Sequence, residues 1–196
     1  MLRYILMMYV TLVPTILAGI AVMIWCKLPI MKFAARPIDC GKNFVDGRRI
    51  FGDNKTWKGM IGYVLFNVIF SVLWGLICIN ETLAGLNFFY QEHDNTILYN
   101  VLIGVLLGLG YALFELPNSF LKRRLDITPG KTVKGFWRLF FVFLDQADSV
   151  FGVALVVWLF FPLGLLLYLL YVLVGAFTHL FLNMMLYFMK LRKNMF

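Results

Sequence analysis

Long apolar runs alternate with short charged ones along this chain, and the runs match the thickness of a bilayer. Residues 4–26, 59–80, 97–116, 139–161 and 165–189 each approach the roughly 20 helical residues that cross the hydrocarbon. Five membrane-spanning helices are predicted. The first run is too long for a secretory leader and is expected to be retained. Pro14 is placed to bend it. Gly104, Gly108 and Gly110 in the third run predict close helix contacts, and Pro162-Leu163-Gly164 turns the fourth run into the fifth.

The polar intervals set the orientation. Residues 27–58 carry Lys27, Lys32, Arg36, Lys42, Arg48, Arg49, Lys55 and Lys58, and residues 117–138 carry Lys122, Arg123, Arg124, Lys131, Lys134 and Arg138. The tail adds Lys190, Arg192 and Lys193. Residues 81–96 hold Glu81, Glu92 and Asp94 but neither Lys nor Arg. Basic loops stay in the cytoplasm, so the N-terminus is expected outside and the C-terminus cytoplasmic, with Arg3 alone among the basic residues on the outer side.

Composition agrees: 62% of residues are hydrophobic, 14% are charged, and the mean hydropathy is +0.84. The fold class is therefore an all-α integral membrane protein. Residues 1–196 are read as a single transmembrane domain, a bundle of five helices with two cytoplasmic loops forming the polar site. The net charge of +8 sits in those loops, where topology explains it, and no nucleic acid is expected. Cys26, Cys40 and Cys78 are odd in number and far apart, so neither a disulfide framework nor a zinc site follows. His179, in the last run, reads as a helix-to-helix hydrogen bond before a proton relay.

Carboxylates inside a lipid-spanning helix are costly and mark function. Asp145 and Asp148 lie three apart, on one face of the fourth span. Glu115, Ser119 and Lys122 share a face if helix continues past Pro117, and Arg123 and Arg124 add bidentate phosphate donors. Two acids facing a basic cluster suit a divalent metal with phosphate. Mg2+ is the default, and an all-oxygen site also admits Mn2+. In the first inner loop, Gly47 and Gly52 permit special turns, and Lys55-Thr56 stands at a helix start, where free N–H groups attract anions. Lys131-Thr132-Val133-Lys134-Gly135 echoes Lys55-Thr56-Trp57-Lys58-Gly59, although neither is a true P-loop. Without the acids, the basic residues read simply as a membrane-surface cluster.

An acid followed after three residues by Ser-x-x-Lys-Arg, and then Asp-x-x-Asp-Ser, resembles the membrane cytidylyltransferases that make CDP-activated lipids. The loop Asp46-Gly47-Arg48-Arg49-Ile50-Phe51-Gly52-Asp53-Asn54-Lys55-Thr56 and the five-span size are similar to the compact CDP-archaeol synthase branch, a relative of phosphatidate cytidylyltransferase. Glu115 stands where the family usually has Asp, Phe114 replaces a Gly, and Gln146 separates the aspartates as in the archaeal-type branch.

The resemblance implies that a lipid phosphate attacks the α-phosphorus of CTP and that pyrophosphate leaves. It implies Asp145 and Asp148 at the metal, with Glu115 as a third ligand or water holder. Ser119, Lys122 and Arg123 would take phosphates, and Lys122 joins the two aspartates as the expected catalytic set. Asp53, Asn54, Lys55 and Thr56 would hold nucleotide, with Asp46, Arg48 and Gly52 beside them. The expected partners are CTP, a membrane lipid phosphate and the bilayer, with a homo-oligomer allowed. The alternatives are phosphatidate as substrate, giving CDP-diacylglycerol, and, in another class, a small cation- or proton-coupled transporter or lipid-binding protein.

Overall fold

The computed structural model describes residues 1–128 and 135–190. The Lys131–Lys134 echo and the tail cations Arg192 and Lys193 lie outside them. Among the described residues six α-helices form in order: α1 (Leu2–Lys27), α2 (Trp57–Ile77), the short α3 (Glu81–Ala84), α4 (Ile97–Arg124), α5 (Arg138–Phe160) and α6 (Gly164–Phe188). All except α3 are long and apolar enough to cross a membrane, as predicted.

α4 is the central helix. It packs between α2 and α5, while α1 lies along α2, α6 lies along α5, and α1 meets α6 only lightly. Lipid tails are as apolar as leucine, so association rests on close packing more than on escape from water. The glycines supply that closeness. A Cβ on Gly104 would stand 2.5 Å from the Cα of Val68, and one on Gly108 equally near the Cα of Val64. On the opposite face, Gly110 meets Gly152 of α5 so tightly that a Cβ on Gly152 would overlap the Gly110 carbonyl. α4 thus touches backbone on both sides.

Buried polar side chains are tied between helices. The Thr15 hydroxyl donates to Asn67 Oδ1 (3.0 Å), and Asn67 Nδ2 donates to the Tyr63 carbonyl (2.9 Å), joining α1 to α2. Asn183 Nδ2 of α6 donates to Gln146 Oε1 of α5 (2.7 Å), and His179 Nδ1 lies 3.2 Å from the Gln146 carbonyl. His179 therefore makes the interhelical contact expected of it.

The spans fall within a few residues of expectation except at the end of α4. The apolar pattern stops at residue 116, but the helix continues through Pro117 to Arg124. Lys122, Arg123 and Arg124 occupy its last turn, where cations complement the helix dipole, and the Leu125 N–H closes on the Leu121 carbonyl (3.3 Å) and the Lys122 carbonyl (3.2 Å). The helix therefore carries its basic face roughly 12 Å beyond the apolar run, at about 1.5 Å per residue.

Candidate functional site

The segment between α1 and α2 is folded by one buried acid. Asp39 Oδ1 accepts from Arg49 Nη2 (2.8 Å) and the Gly41 N–H (3.0 Å), while Oδ2 accepts from the Phe51 and Gly52 N–H groups, each at 2.9 Å. Burial by itself would raise the Asp39 pKa. The Arg49 guanidinium and these amides outweigh it and hold the carboxyl far below the usual range. Short antiparallel pairings at Pro37 with Thr56 and at Asn43 with Arg49 complete a compact hairpin-like loop. Gly47 and Gly52 turn it with φ of +77° and +98°, the role assigned to them from sequence.

This loop docks on the projecting end of α4. Asp46 pairs with Arg124 (3.0 Å), Arg48 pairs with Asp126 (2.6 Å) and donates to the Arg124 carbonyl, and Arg124 Nη2 donates to the Arg49 carbonyl (2.6 Å). The Arg124 guanidinium also lies 4.5 Å from the Phe120 ring centre. Docking places Lys55 against α4, where its ammonium pairs with Glu115. Burial would lower the Lys55 pKa, but Glu115, aided by Asp148 and Asp145, holds it above the ordinary lysine value and keeps the group charged.

α4 and α5 supply the rest. Lys122 Nζ bridges both carboxylate oxygens of Asp145 at 2.5 Å. Asn118 Nδ2 donates to Asp145 Oδ1 and to Asp148 Oδ2, each at 2.7 Å. Asp148 also caps the N–H of Ser149 (2.7 Å). These groups face a cavity of about 560 Å3 that runs inward between the apolar residues Leu12, Ile16 and Ile20 of α1 and Leu182 and Leu186 of α6.

Eight of the residues singled out from sequence line this cavity: Asn54, Lys55, Glu115, Ser119, Lys122, Arg123, Asp145 and Asp148. The other five stand outside it as scaffold. Asp46 and Arg48 tie the loop to α4, and the Gly52 N–H is spent on Asp39. Asp53 pairs with Arg49 (2.9 Å), and the Thr56 hydroxyl accepts from the Gly59 N–H (3.1 Å), capping α2. The anion site read at that helix start is thus partly filled by its own cap. Arg124 is likewise committed to docking, and Asp145 is paired with Lys122.

Sequence reasoning passed over Asp39, Asn118 and the stacked pair Tyr63 and Tyr111, whose ring centres lie 4.2 Å apart at the cavity wall. For Asn118 a signal was available, since it precedes Ser119 on the face that the α4 spacing defines. Asp39 carried none, because its partners are backbone amides set by the loop's path.

Three carboxylates, those of Glu115, Asp145 and Asp148, face three cations, those of Lys55, Lys122 and Arg123. Arg123 is buried, and its Nε has no hydrogen-bond partner among the described residues. An unsatisfied guanidinium N–H beside a cavity is suited to an anion. Among the described residues no three acid, His or Cys side chains converge as a ready metal cage. The donor chemistry nonetheless suits a hard divalent cation that takes one or two carboxylates and completes its shell with water and phosphate.

Fold and site together define a polytopic membrane protein with a charged pocket opening into its apolar interior, the layout of an enzyme acting on an amphiphile. The family model "CarS-like: CDP-archaeol synthase" matches residues 1–196, and the chain belongs to that family. The CDP-archaeol synthase of Methanocaldococcus jannaschii is 30% identical over 151 residues, which cover 77% of this chain and 78% of that protein. That of Methanospirillum hungatei is 37% identical over 130 residues, covering 66% and 68%. A solved structure described as an intramembrane enzyme for archaeal membrane lipid biosynthesis shares the fold, with a TM-score of 0.60 at 23% identity over 89% of this chain and 91% of that one.

Proposed function

We propose that this chain is a CTP-dependent cytidylyltransferase that moves CMP onto a membrane lipid phosphate, forming a CDP-activated lipid of the CDP-archaeol type and releasing pyrophosphate. One observation carries the reading: a single cavity joins the charged groups of α4, α5 and the docked loop to apolar walls on α1 and α6. A lipid phosphate needs both environments at once.

In the reaction a lipid phosphate oxygen bonds to the α-phosphorus of CTP while the bond from that phosphorus to the oxygen bridging the β-phosphate breaks. The nucleophile is already an anion, so no strong base is required. The obstacle is bringing two anions together where screening is poor. The chain's own cations reduce it: Lys55 and Arg123 border the cavity, and Lys122 can transfer from Asp145 to an arriving phosphate. Ser119 and Asn54 offer neutral hydrogen bonds beside them. Because the acids already balance the cations, bound substrates call for further positive charge. Mg2+, or Mn2+, on Asp145 and Asp148 would supply it by neutralising phosphate oxygens.

The N-terminus is assigned outside and the C-terminus to the cytoplasm. The support is the charge contrast between the basic 27–58 loop and the 81–96 loop, which has no Lys or Arg. The site then faces cytoplasmic CTP.

The test is detergent-solubilised protein given labelled CTP, Mg2+ and either an ether-linked isoprenoid glycerol phosphate or phosphatidate. CDP-lipid and pyrophosphate are expected in equal amounts, with the ether lipid preferred. Turnover with neither lipid overturns the enzyme reading, and preference for phosphatidate moves the product to CDP-diacylglycerol.

A further inference from the structure

Asn118 stands where a cation between the two aspartates would have to be approached from α4. Its Nδ2 gives one hydrogen to each carboxylate, the electrostatic part that a cation would play. The cost of this orientation is visible at the other end of the amide. Asn118 is only 6% exposed, and its Oδ1 has no hydrogen-bond partner among the described residues. A buried amide oxygen without a donor is unfavourable.

The two ends of an amide differ in sign. An N–H group pointed at a divalent cation is repelled, whereas a carbonyl oxygen is a good ligand for Mg2+ or Mn2+. We propose that Asn118 is a placeholder and ligand for the metal. Without the cation its NH2 group holds Asp145 and Asp148 together. With the cation the amide turns about Cβ–Cγ and presents Oδ1 to it. The turn requires no backbone movement, because oxygen and nitrogen exchange places in one planar group of nearly constant shape. The carboxylates lose the amide donor as they gain the metal, and the stranded oxygen finds a partner. Asn118 thus becomes the third oxygen donor that the two aspartates lack. The inference rests on the metal role given to those aspartates and adds an uncharged ligand from a different helix.

Mn2+ alone, without CTP or lipid, is the probe. Free Mn2+ is read by electron paramagnetic resonance, and the thermal midpoint is read in EDTA and in Mn2+. Asn118→Leu should weaken Mn2+ binding by about 10- to 100-fold. Asn118→Asp, which places a third carboxylate oxygen at the same point, should bind at least as tightly as the parent. It should also show a lower midpoint in EDTA and a larger rise on adding Mn2+. Asp148→Asn separates the two levels of the argument. If Asp148→Asn loses Mn2+ while Asn118→Leu binds within twofold of the parent, the aspartates hold metal and the amide is only a strut. If Asn118→Leu does not fold, an Asn118→Asp midpoint rise no larger than the parent's overturns the proposal by itself. If the parent protein fails to bind Mn2+, or Asp148→Asn binds it unchanged, the metal assignment falls and the inference falls with it.

Discussion

Both ends of this bundle bury polar side chains, but the ends differ in charge and in the space left between the helices. At the end away from the docked loop the groups are neutral and answer one another. Tyr90 donates to Asn100 Oδ1 (2.7 Å), Asn100 Nδ2 to Asn95 Oδ1 (2.7 Å), and Asn95 Nδ2 to the Gly75 carbonyl (2.7 Å). The space left there is about 10 Å3, room for roughly one water, flanked by Ser71 and Trp74, whose Oγ and Nε1 have no partner among the described residues. At the other end the groups are charged, the cavity is about 560 Å3, and Arg123 Nε and Asn118 Oδ1 have no partner among the described residues. A tightly packed chain of neutral amides fastens helices. A balanced but open network of charges waits for ligands.

The sharpest way to break this contrast is at the acids. Asp148→Asn and Asp145→Asn should each lower CDP-lipid formation by at least about 100-fold, the scale on which losing one preorganised electrostatic group acts. The thermal midpoint should fall in Asp145→Asn, because Lys122 loses its carboxylate partner. Full activity in either variant would remove these residues from the chemistry.

Lys55→Met should reduce activity by roughly 10- to 100-fold, mostly as a higher KM for CTP, since Lys55 is the loop's own charged contribution to the cavity. An unchanged KM would mean that Lys55 serves only to neutralise Glu115.

Asp39→Asn sharpens the comparison from the scaffold side. It weakens the buried pairing with Arg49, so KM for CTP should rise by about tenfold and proteolysis of the loop should quicken. The sign of the pH effect follows from a depressed folded pKa. The stabilisation from Asp39 is present above the unfolded carboxylate pKa of about 4 and is lost as pH falls below that through the folded value. Loop protection in the parent should therefore be the same at pH 7.5 and pH 5. A loss between those values would contradict the assigned direction.

The smallest effect on turnover belongs to the neutral end. Asn100→Leu removes the partner of the Tyr90 hydroxyl and of Asn95 Oδ1 and crowds Gly75, so the protein should lose about 1–3 kcal/mol of stability. CDP-lipid formation at a temperature where the variant is folded should stay within twofold. A large activity loss there would mean that the two ends are coupled.

Except where α4 runs on to Arg124, hydropathy alone located the spans to within a few residues, because crossing a bilayer dictates both the length and the composition of each helix. The helical period put Asp145 with Asp148, and Glu115 with Ser119 and Lys122, on common faces, since such neighbours are determined by spacing within one helix. Both features were legible without coordinates. The division of the first loop was not. Asn54 and Lys55 reach the cavity while Asp46, Arg48 and Asp53, only a few positions away, are used in ion pairs that hold the loop. Which neighbour faces inward depends on how the loop turns at Gly47 and Gly52 and on where Arg124 receives it. Asn118 shows the same limit. Its place on α4 was available from the pattern, but its bridge to both aspartates exists only because Gly110 and Gly152 let α4 and α5 come close enough. Local spacing and hydropathy are properties of a single segment and can be read from it. Pairings across helices depend on distances that no segment contains, and the packed bundle decided those.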